Sequence, residues 1–186
     1  MKIYKYENYE AYVEAQTKAN VHKQNAVWVS EDTMQKIYDR QPFASNILCH
    51  GSRNAAEQRF FKKFYQSAQI IGTEISHTAN KYEMTIQHDF HEVKNDWINK
   101  FDIIYSNSFD HSYDPVKCLN TWKDQLSPNG SLYLEHCWQP QHNKSRWSDP
   151  LEISKEELLN LFKEIGLKVV DNFPTIKNNQ IYRVEK

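Results

Sequence analysis

Glycine is scarce in this chain: 186 residues contain only four. A nucleotide-cradling turn ordinarily gathers two or three at one place, where the backbone bends sharply and approaches a ligand. A fully glycine-rich loop is therefore excluded. Cysteine is scarcer still. Cys49, Cys118 and Cys137 are odd in number and widely spaced, with no CxxC pair, so neither a disulfide framework nor a zinc knuckle is expected. A reducing, cytoplasmic setting fits that usage. No apolar run approaches the roughly 20 residues of a membrane span. The opening "MKIYKYENYEAY" is charged and aromatic, unlike a secretion signal. A net charge of -1, with a pI near 6.7, gives no global pull toward nucleic acid or a membrane surface. Internal repeats, low-complexity tracts and linkers are also lacking.

What is present indicates a packed globule. Hydrophobic residues make up 39% and aromatics 13%, enough to build a core rather than a disordered chain. The length suits one domain over residues 1–186, with a helical section at 1–43 leading into an α/β core at 44–186.

Residues 8–41 read as amphipathic helix, with Tyr9, Tyr12 and Val13 at helical spacing. Ser30 caps a second segment carrying Met34, Ile37 and Tyr38. Alternation follows. Ile47–Cys49 is a short apolar strand, and Asn54 with Glu57 suggests a capping box for a helix bearing Phe60, Phe61 and Phe64. Ile70–Thr73 and Met84–Gln87 read as the next strands. Phe101–Tyr105 is apolar almost throughout, as a buried parallel strand should be. Asp114-Pro115 starts a helix striped by Val116, Leu119, Trp122 and Leu126. A Pro128-Asn129-Gly130 turn leads to the strand Ser131–Leu134. Ser154 and Glu157 form a second capping box, and Gly166 ends that helix. Leu167–Val170 and Ile181–Val184 form a closing antiparallel pair.

This order predicts an α/β open sheet, in which ligands sit beyond the carboxyl ends of the strands near the switch point. Polar residues cluster at those ends. His50 to Asn54 follow the first strand, Glu74 the second, His88 and Asp89 the third, and Ser106 to His111 the fourth. An acid closing the second strand lies where a ribose presents two hydroxyls. Asp89 is placed to accept from an exocyclic amine.

The stretches "NILCHGSRNAAEQ", "IIGTEIS", "IQHDFHEV", "FDIIYSNSFDHSYDP", "LSPNGSLYLEHC" and "SKEELLNLFKEIGLKVV" together resemble the class I S-adenosylmethionine-dependent methyltransferases, over about residues 44–186. The resemblance implies a Rossmann-like, doubly wound, mostly parallel seven-stranded sheet with an antiparallel C-terminal strand and N-terminal helices. It implies S-adenosylmethionine as cofactor. Gly51 would let the backbone approach the methionine part, with Ser52, Arg53 and Asn54 around its carboxylate at a helix N-terminus. Glu74 would hold the ribose hydroxyls and Ile75 pack on adenine. Asp89 would accept from the adenine amine beside Phe90, and Asn107 and Ser108 would line the floor under the sulfonium. His111 would serve as base or orienting group for the acceptor. The chain departs from the family pattern at Cys49, Arg53 and Ala55, where an acid and glycines are usual. The short "ISHTANKYE" leaves little room for a crossover helix.

A small-molecule or sugar-containing acceptor is expected, with no nucleic-acid or membrane partner. The acceptor atom and the oligomeric state are left open. Two other classes compete. One is a non-catalytic module that binds S-adenosylmethionine or S-adenosylhomocysteine. The other is a metal-dependent hydrolase drawing on His88, His91, Asp110, His111, Asp114, Glu135 and His136, whose spacing matches no established ligand motif; no metal site is expected.

Overall fold

The computed structural model describes all of residues 1–186. Seven strands form one sheet: β2 (Asn46–His50), β3 (Gln69–Glu74), β4 (Thr85–Gln87), β5 (Phe101–Ser106), β6 (Leu126–His136), β8 (Lys168–Pro174) and β9 (Gln180–Glu185). Their spatial order is β4-β3-β2-β5-β6-β9-β8. The first five run parallel. Strand β9 is antiparallel to both β6 and β8. The chain therefore builds outward from β2 through β3 to β4, then returns to the other side of β2 as β5. That reversal is the switch point.

Period-two alternation sends neighbouring residues to opposite faces, and both faces are covered. Leu48, Ile104, Leu132 and Leu134 pack with Trp122 of α4 (Pro115–Gln125) and Leu158 and Phe162 of α5 (Lys155–Glu164). Ile47, Ile103, Tyr105 and Tyr133 pack with Met34 and Ile37 of α2 (Glu31–Arg40) and Phe61 of α3 (Ala56–Phe64). Burying strands on both faces is why they read as continuous apolar runs.

Several local expectations hold. Ser30 caps α2 and Asp114 caps α4, and Ser154 with Glu157 makes a reciprocal capping box on α5. Gly166 adopts φ +75° just past α5. The segment after β3 holds only a 3-10 turn, His77–Lys81. Others are corrected. Asn54 does not cap α3: the cap position is Ala55, without a side-chain bond. Asn54 instead donates to the Gln24 and Ala26 carbonyls at 2.9 and 3.1 Å, tying the connection before α2 to the turn after β2. Pro128-Asn129-Gly130 lies inside β6 as a bulge, since Phe101 faces Leu126 while Ile103 faces Ser131.

The first helix, α1 (Tyr9–His22), buries Tyr12, Gln16, Ala19 and Asn20. Two of those four are amides, so this face covers a polar cleft rather than the core. A small antiparallel pair joins β1 (Lys2–Ile3) to β7 (Leu151–Glu152). All three cysteines are free, and no helix is long and apolar enough to cross a membrane.

Candidate active site

The turn after β2 has three left-handed residues: Gly51 at φ 70°, Arg53 at 36° and Ala55 at 60°. Only the first is glycine. Left-handed backbone costs about 1–2 kcal/mol per L-residue, and the surrounding bonds hold it in place. Ser52 N–H donates to the Thr73 carbonyl at 2.9 Å, and Ala55 N–H to the Ser52 carbonyl at 2.8 Å. A glycine-type turn thus persists with two of its glycines replaced. Gly51 itself is irreplaceable on space, since a Cβ there would lie 2.6 Å from Ser108 Cβ. The Ser108 hydroxyl donates to the Gly51 carbonyl at 3.1 Å, joining the ends of β2 and β5 across the switch point.

From this neck the cleft opens in two directions. The narrow half, about 490 Å³, is bounded by Glu74, Ile75, Asp89, Phe90 and the face of α1. Glu74 Oε1 accepts from Ser76 N–H at 3.0 Å. Burial pushes its pKa up, while the Ser76 bond, His111 and Arg53 pull the other way. The nearby Asn20 Nδ2 is buried without a partner. Asp89 Oδ1 accepts from His91 N–H at 2.9 Å and from His91 Nδ1 at 2.7 Å, and Oδ2 accepts from the Tyr9 hydroxyl at 2.9 Å. Burial alone would raise the Asp89 pKa, but the His91 and Tyr9 bonds outweigh it and hold the carboxyl below its ordinary value.

The wide half, about 1050 Å³, is bounded by Asn54, Glu57, Asn107, Trp28 and polar side chains of the 137–149 segment. His111 stands between the halves. Its Nδ1 lies 2.9 Å from both Gln16 Oε1 and the Ser148 carbonyl. A carbonyl can only accept, so Nδ1 carries a proton.

Nine of the ten expected cofactor-side residues, and His111, border this cleft. Ser52 does not: it is buried behind the turn, where its hydroxyl accepts from Gln58 Nε2 at 2.8 Å. It supports the turn without facing a ligand. The histidine-rich set does not converge. His88 Nε2 bonds the Glu92 carbonyl, His91 lies between Asp89 and Ser112, and Glu135 is held by Tyr105 and Asn179. Only Asp110, His111 and Asp149 come together, and Arg146 already pairs with Asp149.

A profile described as "Methyltransferase domain" matches residues 50–166, more than half of the chain. The chain belongs to the methyltransferase-domain family. Solved structures of methyltransferases share its fold. A Burkholderia thailandensis 1,6-didemethyltoxoflavin N1-methyltransferase, bound to its substrate and S-adenosylhomocysteine, superposes with TM-score 0.73 at 15% identity, over 96% of this chain and 88% of that one. A Leishmania major S-adenosylmethionine-dependent methyltransferase gives TM-score 0.66 at 16% identity, over 94% and 83%. One from Aquifex aeolicus gives 0.61 at 13%, over 84% and 98%. No curated protein sequence matches the chain.

Membership of the methyltransferase family implies S-adenosylmethionine as cofactor, and the cleft fits it. A carboxylate closes the second strand of the α/β core, and a buried amide nitrogen without a hydrogen-bond partner stands beside it. The sequence marks the N-terminal helical section as a cap but not which of its residues reach the cleft. Tyr9 reads only as a stripe residue with Tyr12 and Val13, and Gln16 and Asn20, outside the matched span, carry no signal of their own.

Proposed function

We propose that this methyltransferase transfers a methyl group from S-adenosylmethionine to a small polar acceptor. The observation that carries the proposal is the two-part cleft meeting at the Gly51–Ser108 neck, with Glu74 at the end of β3 in its narrow half. S-adenosylmethionine supplies an electrophilic methyl group on a sulfonium. Glu74 accepts hydrogen bonds from the ribose hydroxyls. Ile75 and Phe90 flank the adenine, and Asp89 accepts from its amine, sharing Oδ2 with or taking it from Tyr9. Gly51, Arg53 and Asn54 surround the carboxylate end, with the Arg53 guanidinium as its cation. Asn107 and Ser108 form the floor.

The acceptor enters the wide half. Its polar lining and its cover by the 137–149 segment suit a small molecule, and the toxoflavin-precursor enzyme of similar fold binds one. His111 presents Nε2 to the acceptor as an orienting group. Alignment of donor and nucleophile supplies much of the rate in such a transfer. Retention of the left-handed backbone at Arg53 and Ala55 supports a turn that still binds the cofactor.

Calorimetric titration with S-adenosylmethionine, S-adenosylhomocysteine and NAD tests this. Saturable one-to-one binding of the first two, without NAD, is expected. Failure of both to bind would remove the proposal.

A further inference from the structure

One buried acid in the cleft leaves a carboxylate oxygen without a hydrogen bond. Glu57, in the first turn of α3, borders the wide half beside Asn107. It is 7% exposed, and its Oε2 makes no hydrogen bond. The other buried acids nearby are engaged: Glu74 by Ser76, Asp89 by His91 and Tyr9, Asp149 by Arg146, and Glu135 by Tyr105 and Asn179, while the half-buried Asp110 lies 3.9 Å from His111 Nε2. A buried, unpaired carboxyl opposes folding, so a purely structural role would be served better by an amide or an aliphatic residue.

We propose that Glu57 is the proton acceptor of the transfer, on the wall of the half of the cleft that the acceptor enters. The assignment rests on the methyl-transfer reading of the cleft. The acceptor's lone pair forms the new bond to the methyl carbon, and the carbon–sulfur bond breaks with its electron pair left on sulfur. The acceptor's proton passes to Glu57. An N–H or O–H nucleophile must shed that proton for the transfer to be complete.

Burial pushes the Glu57 pKa up to about 7, against the pull of its own backbone N–H, of Arg53 and of the Asn107 amide. The titratable groups facing it are Arg53 from the turn, Cys49 from β2, Tyr105 from β5 and Glu135 from β6. None of them is a cation except Arg53. A unit positive charge about 6 Å from a carboxyl, at an effective dielectric of about 20, would lower its pKa by about two units, and a sulfonium bound at the neck would act in that direction. Loading the methyl donor would therefore ionise the base that the reaction needs, and the neutral thioether product would let it keep the proton taken from the acceptor until the next donor binds.

Calorimetry at pH 6 in buffers of different ionisation enthalpy tests this without knowledge of the acceptor. S-adenosylmethionine should release close to one more proton than S-adenosylhomocysteine, about 0.8 for a shift of two units from 7. The difference should vanish in Glu57→Gln, whose retained S-adenosylhomocysteine binding shows that it is folded. Equal release for both ligands, or a difference that persists in Glu57→Gln, would overturn the assignment. If neither ligand binds the unaltered protein, the methyl-transfer reading falls first and the assignment falls with it. Should Glu57→Gln fail to bind S-adenosylhomocysteine, Glu57→Asp takes its place. It keeps the charge but withdraws it by one methylene, so it should show a smaller proton difference; a difference equal to that of the unaltered protein would likewise refute the assignment.

Discussion

The isolation of Glu57 has a thermodynamic signature independent of ligands. Its pKa rises from an ordinary 4.5 to about 7 on folding, chiefly through burial. An acid raised in the folded state contributes nothing unfavourable below its unfolded pKa, and destabilises the fold progressively as pH rises through the folded value. At 1.36 kcal/mol per unit, the full cost is about 3 kcal/mol above pH 8, of which about 2.5 kcal/mol develops between pH 5 and pH 8. Glu57→Gln removes the titration while keeping shape. Denaturant unfolding of both proteins at the two pH values gives the difference of differences, in which the pH-independent cost of substitution cancels. The variant should gain about 2.5 kcal/mol relative to the parent between pH 5 and pH 8. A constant offset would refute the reasoning, showing that the carboxyl is hydrated or paired.

Four other outcomes follow from the geometry. Glu74→Ala should weaken S-adenosylhomocysteine binding by about 1–3 kcal/mol for the loss of ribose hydrogen bonds, roughly 5- to 140-fold in Kd; unchanged affinity by calorimetry would sink the ribose assignment. Arg53→Ala should weaken binding more at low salt than at high, because screening already attenuates an exposed ion pair; a salt-independent loss would point to backbone distortion. Gly51→Ala combines left-handed strain of about 1–2 kcal/mol with overpacking against Ser108 of about 1–3 kcal/mol, and a melting temperature within a degree of the parent would contradict the 2.6 Å approach. Once an acceptor is in hand, His111→Ala should lower turnover with little change in cofactor affinity, and a normal rate would remove it from the mechanism.

The strand order and the polar strand ends were readable because buried parallel strands must be apolar and their loops need not be. Ile47–Cys49 extends to Asn46–His50, and Ile70–Thr73 to Gln69–Glu74, by residues whose polarity hid their pairing. The cover over the cleft was harder to see. Gln16 and Asn20 interrupt the apolar stripe of α1, which weakens a helical signal while marking the surface that faces a ligand. Asn54 looked like a cap because its type and spacing suit one, yet tertiary carbonyls at Gln24 and Ala26 claim its amide. Strands β1 and β7, two residues each, carry no period at all.

Those two short strands have a mechanical consequence. Helix α1 roofs the narrow half of the cleft and the 137–149 segment roofs the wide half. Lys2 and Ile3 are paired to Glu152 and Leu151, the Tyr6 hydroxyl bonds the Trp147 carbonyl at 2.8 Å, and Gln16 bonds the Ser148 carbonyl at 3.3 Å. The two roofs are tied to each other by these bonds, so an opening of one should carry the other with it. Amide hydrogen exchange should then rise in both segments at a common rate. The two products should depart in a single opening rather than in two.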